Sequence, residues 1–176
     1  MAGANPDFLA EKAGDDLEFR ACTFAYTGRA SQAVRRLKYS RSTALAPFMA
    51  ATVADRIREL GSSGDLVVPV PMHVARQSWR GFNQAVLLAG GSHGLEVNTR
   101  CLKRVRATRP QVGLSLVERQ KNLDRAFRAT SAVSGRRVLL VDDVVTSGHT
   151  ARECARVLKA SGASSVGVVA FAGNLE

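Results

Sequence analysis

The apolar run Val138-Leu139-Leu140-Val141 leads straight into two acids, Asp142 and Asp143, and two valines later come Thr146, Ser147, Gly148 and Thr150. In open α/β sheets, ligands bind beyond the carboxyl ends of strands, so a short strand ending in two carboxylates sets them at such an edge. A vicinal diol is one good partner, because carboxylates accept charge-assisted hydrogen bonds from hydroxyls. A divalent cation carried by the ligand can share the place. The small hydroxyl residues that follow open a helix, and free backbone N–H groups there, with the helix dipole, suit a phosphate monoester. Gly148 lets the backbone approach it closely. A diol site followed by a phosphate site describes a ribose 5-phosphate held at both ends. Each half alone has an ordinary reading, as a turn former or cap and as common loop chemistry; together and in order they are more specific. The chain has no Gly-Lys-Ser/Thr and no G-x-G-x-x-G, which excludes a P-loop and the dinucleotide fingerprint.

The elements that must position these residues read as an alternation of helices and apolar strands. Ala30, Ala33, Val34 and Leu37 have helical spacing, and a second helix is predicted from Ala46 to Leu60 with Pro47 in its first turn. Strands are predicted at Asp65 to Val70, Arg137 to Asp142 and Ser165 to Phe171, with short ones at Leu95 to Val97 and Leu102 to Val105. Helices are predicted at Phe82 to Ala89, Leu116 to Ala126 and Thr150 to Ala160. This pattern predicts an α/β fold, a mostly parallel central sheet with helices on both faces. Met1 to Glu18 lacks periodicity and is expected to be a flexible arm before one domain over 19–176.

Among 176 residues, 25 Lys and Arg stand against 15 Asp and Glu, a net +10 that favours anionic partners. Almost all of the excess falls between Arg100 and Arg137, where the only acids are Glu118 and Asp124. Cys22, Cys101 and Cys154 are an odd, scattered set, which suits reduced thiols better than a disulfide framework. With no leader-like start and no long apolar run, the expectation is a cytoplasmic protein with no membrane partner.

The segment from Val138 to Thr150 resembles, position by position, the 5-phosphoribosyl-1-pyrophosphate (PRPP) motif of type I phosphoribosyltransferases. Its surroundings, LKYS at Leu37, VVPVPMH at Val67, RGFNQA at Arg80 and the run from Arg106 to Leu123, resemble the competence-protein ComF/GntX family. The resemblance implies a type I phosphoribosyltransferase fold in which Thr146, Ser147, Gly148, His149 and Thr150 hold the phosphate and Asp142 and Asp143 the ribose. It makes Val70, Pro71 and Met72 the pyrophosphate-contacting turn, with Arg76 and Arg80 nearby, although Pro69 and Pro71 also read simply as a strand stop. Arg106 and Arg109 would belong to a closing loop over 106–115. The implied reaction moves ribose 5-phosphate from PRPP to an unidentified acceptor, with Mg²⁺ bound mainly through PRPP. Two alternatives are PRPP binding without turnover and a DNA-associated role in DNA uptake. Many family members begin with a four-cysteine zinc ribbon; here only Cys22 stands at the corresponding edge, so no metal site is expected.

Overall fold

A computed structural model describes residues 10–14, 16–39, 43–61, 64–92, 94–107 and 125–174. Its eight strands are β1 (Ala10–Lys12), β2 (Phe19–Ala25), β3 (Leu66–Pro69), β4 (Glu96–Val97), β5 (Leu102–Arg104), β6 (Phe127–Ala129), β7 (Arg137–Val145) and β8 (Ser165–Gly173). The helices are α1 (Gly28–Tyr39), α2 (Ala46–Glu59), α3 (Val74–Arg80), α4 (Gln84–Ala89) and α5 (His149–Ala160). Six strands form one sheet in the order β1-β2-β8-β7-β3-β4, in which every pairing is parallel except that of β1 with β2. β5 and β6 make a separate antiparallel pair. The expected α/β architecture is therefore present.

β7 and β8 lie at the centre because both faces of each are covered, and their sequences are accordingly near-continuous apolar runs. One face packs on α1, α2 and α4, where Val34, Leu37, Met49, Val53 and Leu88 meet Leu139, Val141 and Val169. The other packs on α5, where Cys154, Ala155 and Leu158 meet Leu140, Val166 and Val168. Side chains alternate along a strand, so neighbouring residues of β7 serve opposite layers.

The structure adds to these expectations and departs from some of them. The boundary at Glu18 falls inside a paired unit: Ala10–Lys12 runs beside β2, with Glu11 opposite Arg20, and Leu17 is fully buried. β2, α3 and β6 were not anticipated. β7 continues three residues beyond Asp142, so the acids lie within the strand and not after it. The helix expected over Leu116 to Ala126 lies almost wholly outside the described residues. Among the described residues no helix is long and apolar enough to cross a membrane.

Candidate functional site

Because Asp142 and Asp143 occupy successive positions of β7, the sheet sends their carboxylates to opposite faces. Asp143 is 5% exposed and meets the α1 side, where its Oδ2 lies 2.9 Å from Lys38 Nζ. Burial is the largest influence and works against the Lys38 ammonium, but the charge of Asp143, its hydrogen bond to the lysine, and the charges of Asp142 and Tyr26 together outweigh it and raise its pKa. Arg80, at the end of α3, is buried with its guanidinium 5.8 Å from the ring centre of Tyr39. Burial lowers its pKa while Asp143 works the other way, so Arg80 also belongs to the neighbourhood of Asp143.

Asp142 is half-buried and accepts a hydrogen bond at Oδ1 from the Asp143 backbone N–H, 2.8 Å away. Burial first, and the charge of Asp143 second, push its carboxyl up to about 8, while Lys38 opposes the shift. On that side it has Cys154 of α5 and Arg104 of β5 as electrostatic neighbours. Burial, then Arg76, hold Arg104 below the usual arginine range, and its guanidinium lies 5.4 Å from the Phe127 ring centre.

Beyond β7 the loop turns on Gly148, whose φ of +71° is left-handed and favours glycine. A Cβ there would stand 2.9 Å from Arg20 Nη1. Arg20 Nη1 donates to the Thr146 carbonyl at 3.2 Å, and Arg152 Nη1 donates to the Ser147 carbonyl at 2.9 Å. In a planar trans peptide the C=O and the following N–H point in opposite directions. Drawing those two carbonyls toward arginines thus turns the Ser147 and Gly148 N–H groups the other way. Among the described residues, no group accepts from the backbone N–H of Thr146, Ser147 or Gly148. The loop, with Asp142, Val144, Thr150 and Ala151, encloses a concavity of about 60 Å³. Ser147 Oγ and His149 Nδ1 are 2.7 Å apart, so the histidine side chain is tied into the loop. Arg20 itself is fixed from behind by its ion pair with Glu11.

The turn Val70, Pro71 and Met72 reaches the same sheet edge: Pro69 is level with Val141, and the Val70 N–H donates to the Val141 carbonyl at 2.9 Å. Buried Asn83 braces it, donating through Nδ2 to the Val70 carbonyl and capping α4 through Oδ1, both at 3.0 Å. Pro71 and Met72 floor a cleft of about 400 Å³ whose far wall is Leu102, Lys103 and Arg104. Another cleft of similar volume, lined by Phe19, Leu60, Arg137 and Gly167, lies at the opposite end of the strands from the acids. Arg76 is exposed on α3, Arg106 is exposed just after β5, and Arg109 lies outside the described residues. The structure thus gathers the loop, both acids, Arg80 and the Val70 turn at one edge. It adds Lys38, Arg20, Asn83, Arg104 and Arg152, to which sequence reasoning gave no role. Lys38 had left a signal, as a charge four residues after buried Val34 on an otherwise apolar stripe.

A model of the phosphoribosyl transferase domain matches residues 52–176, which include the Val70 turn, β7 and the loop. The chain belongs to the phosphoribosyltransferase family. Within this phosphoribosyltransferase group it is similar to the DNA utilization protein YhgH of Salmonella typhimurium, at 37% identity over 81% of this chain and 66% of that one. It is also 36% identical to Competence protein F of Haemophilus influenzae, over 73% of this chain and 58% of that one. The chain therefore spans 58 to 66% of the length of these curated relatives. Among solved structures, the allosteric regulatory enzyme of purine biosynthesis superposes with a TM-score of 0.47 at 23% identity, over 70% of this chain and 25% of that one. The matched segment includes the loop whose amides face away from two arginine-held carbonyls.

Proposed function

We propose that this phosphoribosyltransferase domain binds PRPP and transfers its ribose 5-phosphate to an acceptor with release of pyrophosphate. The observation that carries this reading is the loop over 146–148, whose unengaged amides line a phosphate-sized hollow one strand-end away from Asp142. Thr146, Ser147 and Thr150 add hydroxyls, and α5, twelve residues long, adds its positive end. Asp142 is the open carboxylate for the ribose hydroxyls and supplies negative potential where positive charge develops at the anomeric carbon. The Val70 turn and Arg80 lie toward the pyrophosphate, and the cleft between Met72 and Lys103 offers the acceptor a place. Mg²⁺ in this reading would be held mainly by the oxygens of PRPP itself. Bound there, it would supply charge neutralisation for the leaving pyrophosphate.

Titration calorimetry with PRPP and MgCl₂ tests the reading. Saturable binding is expected, and Asp142→Asn with Asp143→Asn should weaken it by about 2 to 4 kcal/mol, the scale of losing charged hydrogen bonds. Unchanged affinity in the double variant rejects the site. Pyrophosphate appearing on addition of candidate bases separates turnover from binding alone.

A second reading, association with DNA, has its own observation. Lys103 and Arg128 are direct cross-strand partners on β5 and β6, and both are exposed. Like charges so placed repel, and a phosphate backbone laid across them relieves the repulsion.

A further inference from the structure

Lys38 stands where a helix facing a core ordinarily carries an apolar residue, and its side chain remains only 25% exposed. A buried ammonium needs a counter-charge, and Asp143 at 2.9 Å supplies it. Arg80, beside Tyr39 at the end of α3, feels the charge of the same acid through space. Asp142 faces the other layer, toward Arg104 and Cys154, and lines the hollow under the loop, which Asp143 does not. Two neighbouring acids that look equivalent in sequence thus have unequal surroundings.

We infer that Lys38 is a positioning residue that divides the acidic pair: it engages Asp143 on the α1 side, leaving Asp142 alone to meet the ligand's diol. This rests on the PRPP reading and sharpens it. Asp143 ties the end of β7 to α1, so that the peptide between the two acids, whose N–H holds Asp142 Oδ1, is fixed in orientation. Removing Lys38 does two things at Asp142. It loosens that peptide, and it removes the cation that opposes the upward push of burial and of Asp143.

The test is calorimetric titration of PRPP with MgCl₂ into the full chain across neutral to alkaline pH, for wild type, Asp142→Asn, Asp143→Asn, Lys38→Met, Lys38→Arg and the Lys38→Met/Asp143→Asn double variant. Asp142→Asn should lose at least about tenfold in affinity at alkaline pH, where the wild-type carboxyl is ionised, and less as pH falls below about 8. Lys38→Met should lose affinity with its pH profile displaced upward, and Lys38→Arg should recover both. The double variant should lose no more than the worse of its two singles, since both remove one interaction. Lys38→Gln, which keeps much of the stem, replaces Lys38→Met should the latter not fold. Equal losses for Asp142→Asn and Asp143→Asn, with Lys38→Met at wild-type affinity, overturn the division. A wild type that does not bind PRPP defeats the functional reading instead. The carboxyl carbon-13 titration of Asp142 in the unliganded protein still decides this inference: it must move up in Lys38→Met and stay in Lys38→Arg, and an unmoved titration in Lys38→Met refutes it.

Discussion

A carboxyl that burial and a neighbouring acid push up to about 8 works against the folded state wherever it is ionised, because an ordinary Asp in the unfolded chain titrates near 3.8. The sign follows from proton binding. Between those two values the folded protein holds a proton that the unfolded chain has released, so the stability this proton confers is full below about pH 4 and is lost as pH rises through about 8. Asparagine cannot ionise and escapes that loss. Thermal melts of the unliganded protein should therefore show Asp142→Asn unfolding above wild type at alkaline pH, with the two converging near pH 4; parallel profiles would show that Asp142 is not the group under strain. The same variant loses PRPP, so stability and binding move in opposite directions at one residue. A site that holds a sugar phosphate is expected to store such tension, since the ligand's hydroxyls and cation relieve what the empty pocket cannot.

At the scale of elements, the site depends on where β7 and β8 stop. Gly173 closes β8 beside Val145, and a Cβ at 173 would lie 2.5 Å from the Val145 carbonyl oxygen and 3.1 Å from Cys22 Sγ. That carbonyl accepts from Asn174 N–H at 3.0 Å and is the last backbone group before the loop, so it cannot swing aside. Gly173→Ala should destabilise the domain by about 1 to 3 kcal/mol in chemical denaturation, as overpacking does, and should weaken PRPP by shifting Thr146. Wild-type stability in that variant would mean that the strand ends are looser than the contacts indicate. Which elements were legible follows from how they are stabilised. β7 and β8 declare themselves as near-continuous apolar runs, and α2 and α5 by apolar burial on a helical period. α3 has no such period: VARQSWR buries only Arg80, and its limits are set by the His73 side chain accepting from Ala75 N–H and by left-handed Gly81. β1 is three residues that are a strand only because β2 lies alongside, and β2 itself interrupts its apolar residues with Arg20. The phosphate loop was readable because its chemistry is contiguous in sequence. Arg20 acts on it, and Lys38 on the acid just before it, from over a hundred residues away, and only the folded sheet brings them there.

For the whole molecule the question is what a net charge of +10 is for, when a single PRPP accounts for few of the cations. Much of the excess lies in the segment from Arg100 to Arg137. There Lys103 and Arg128 are held side by side on a two-stranded sheet that also walls the cleft beyond Met72. A repulsive pair fixed by backbone register disfavours the free protein and favours any polyanion that lies across it. Counterion release turns that preference into a measurable slope, because each phosphate neutralised on duplex DNA lowers log affinity by about 0.9 per tenfold rise in salt. Fluorescence anisotropy with a labelled duplex should accordingly show binding at low salt that falls steeply as salt is added. Lys103→Ser with Arg128→Ser should flatten the slope by roughly 1.8, two phosphates' worth, while leaving PRPP affinity near wild type. An unaltered slope places DNA elsewhere on the surface, and no signal at low salt removes the DNA reading. Should the slope flatten and PRPP alter it as well, the wall shared by the β5–β6 pair and the cleft is the physical route by which one ligand senses the other, and linkage requires the same factor in reverse.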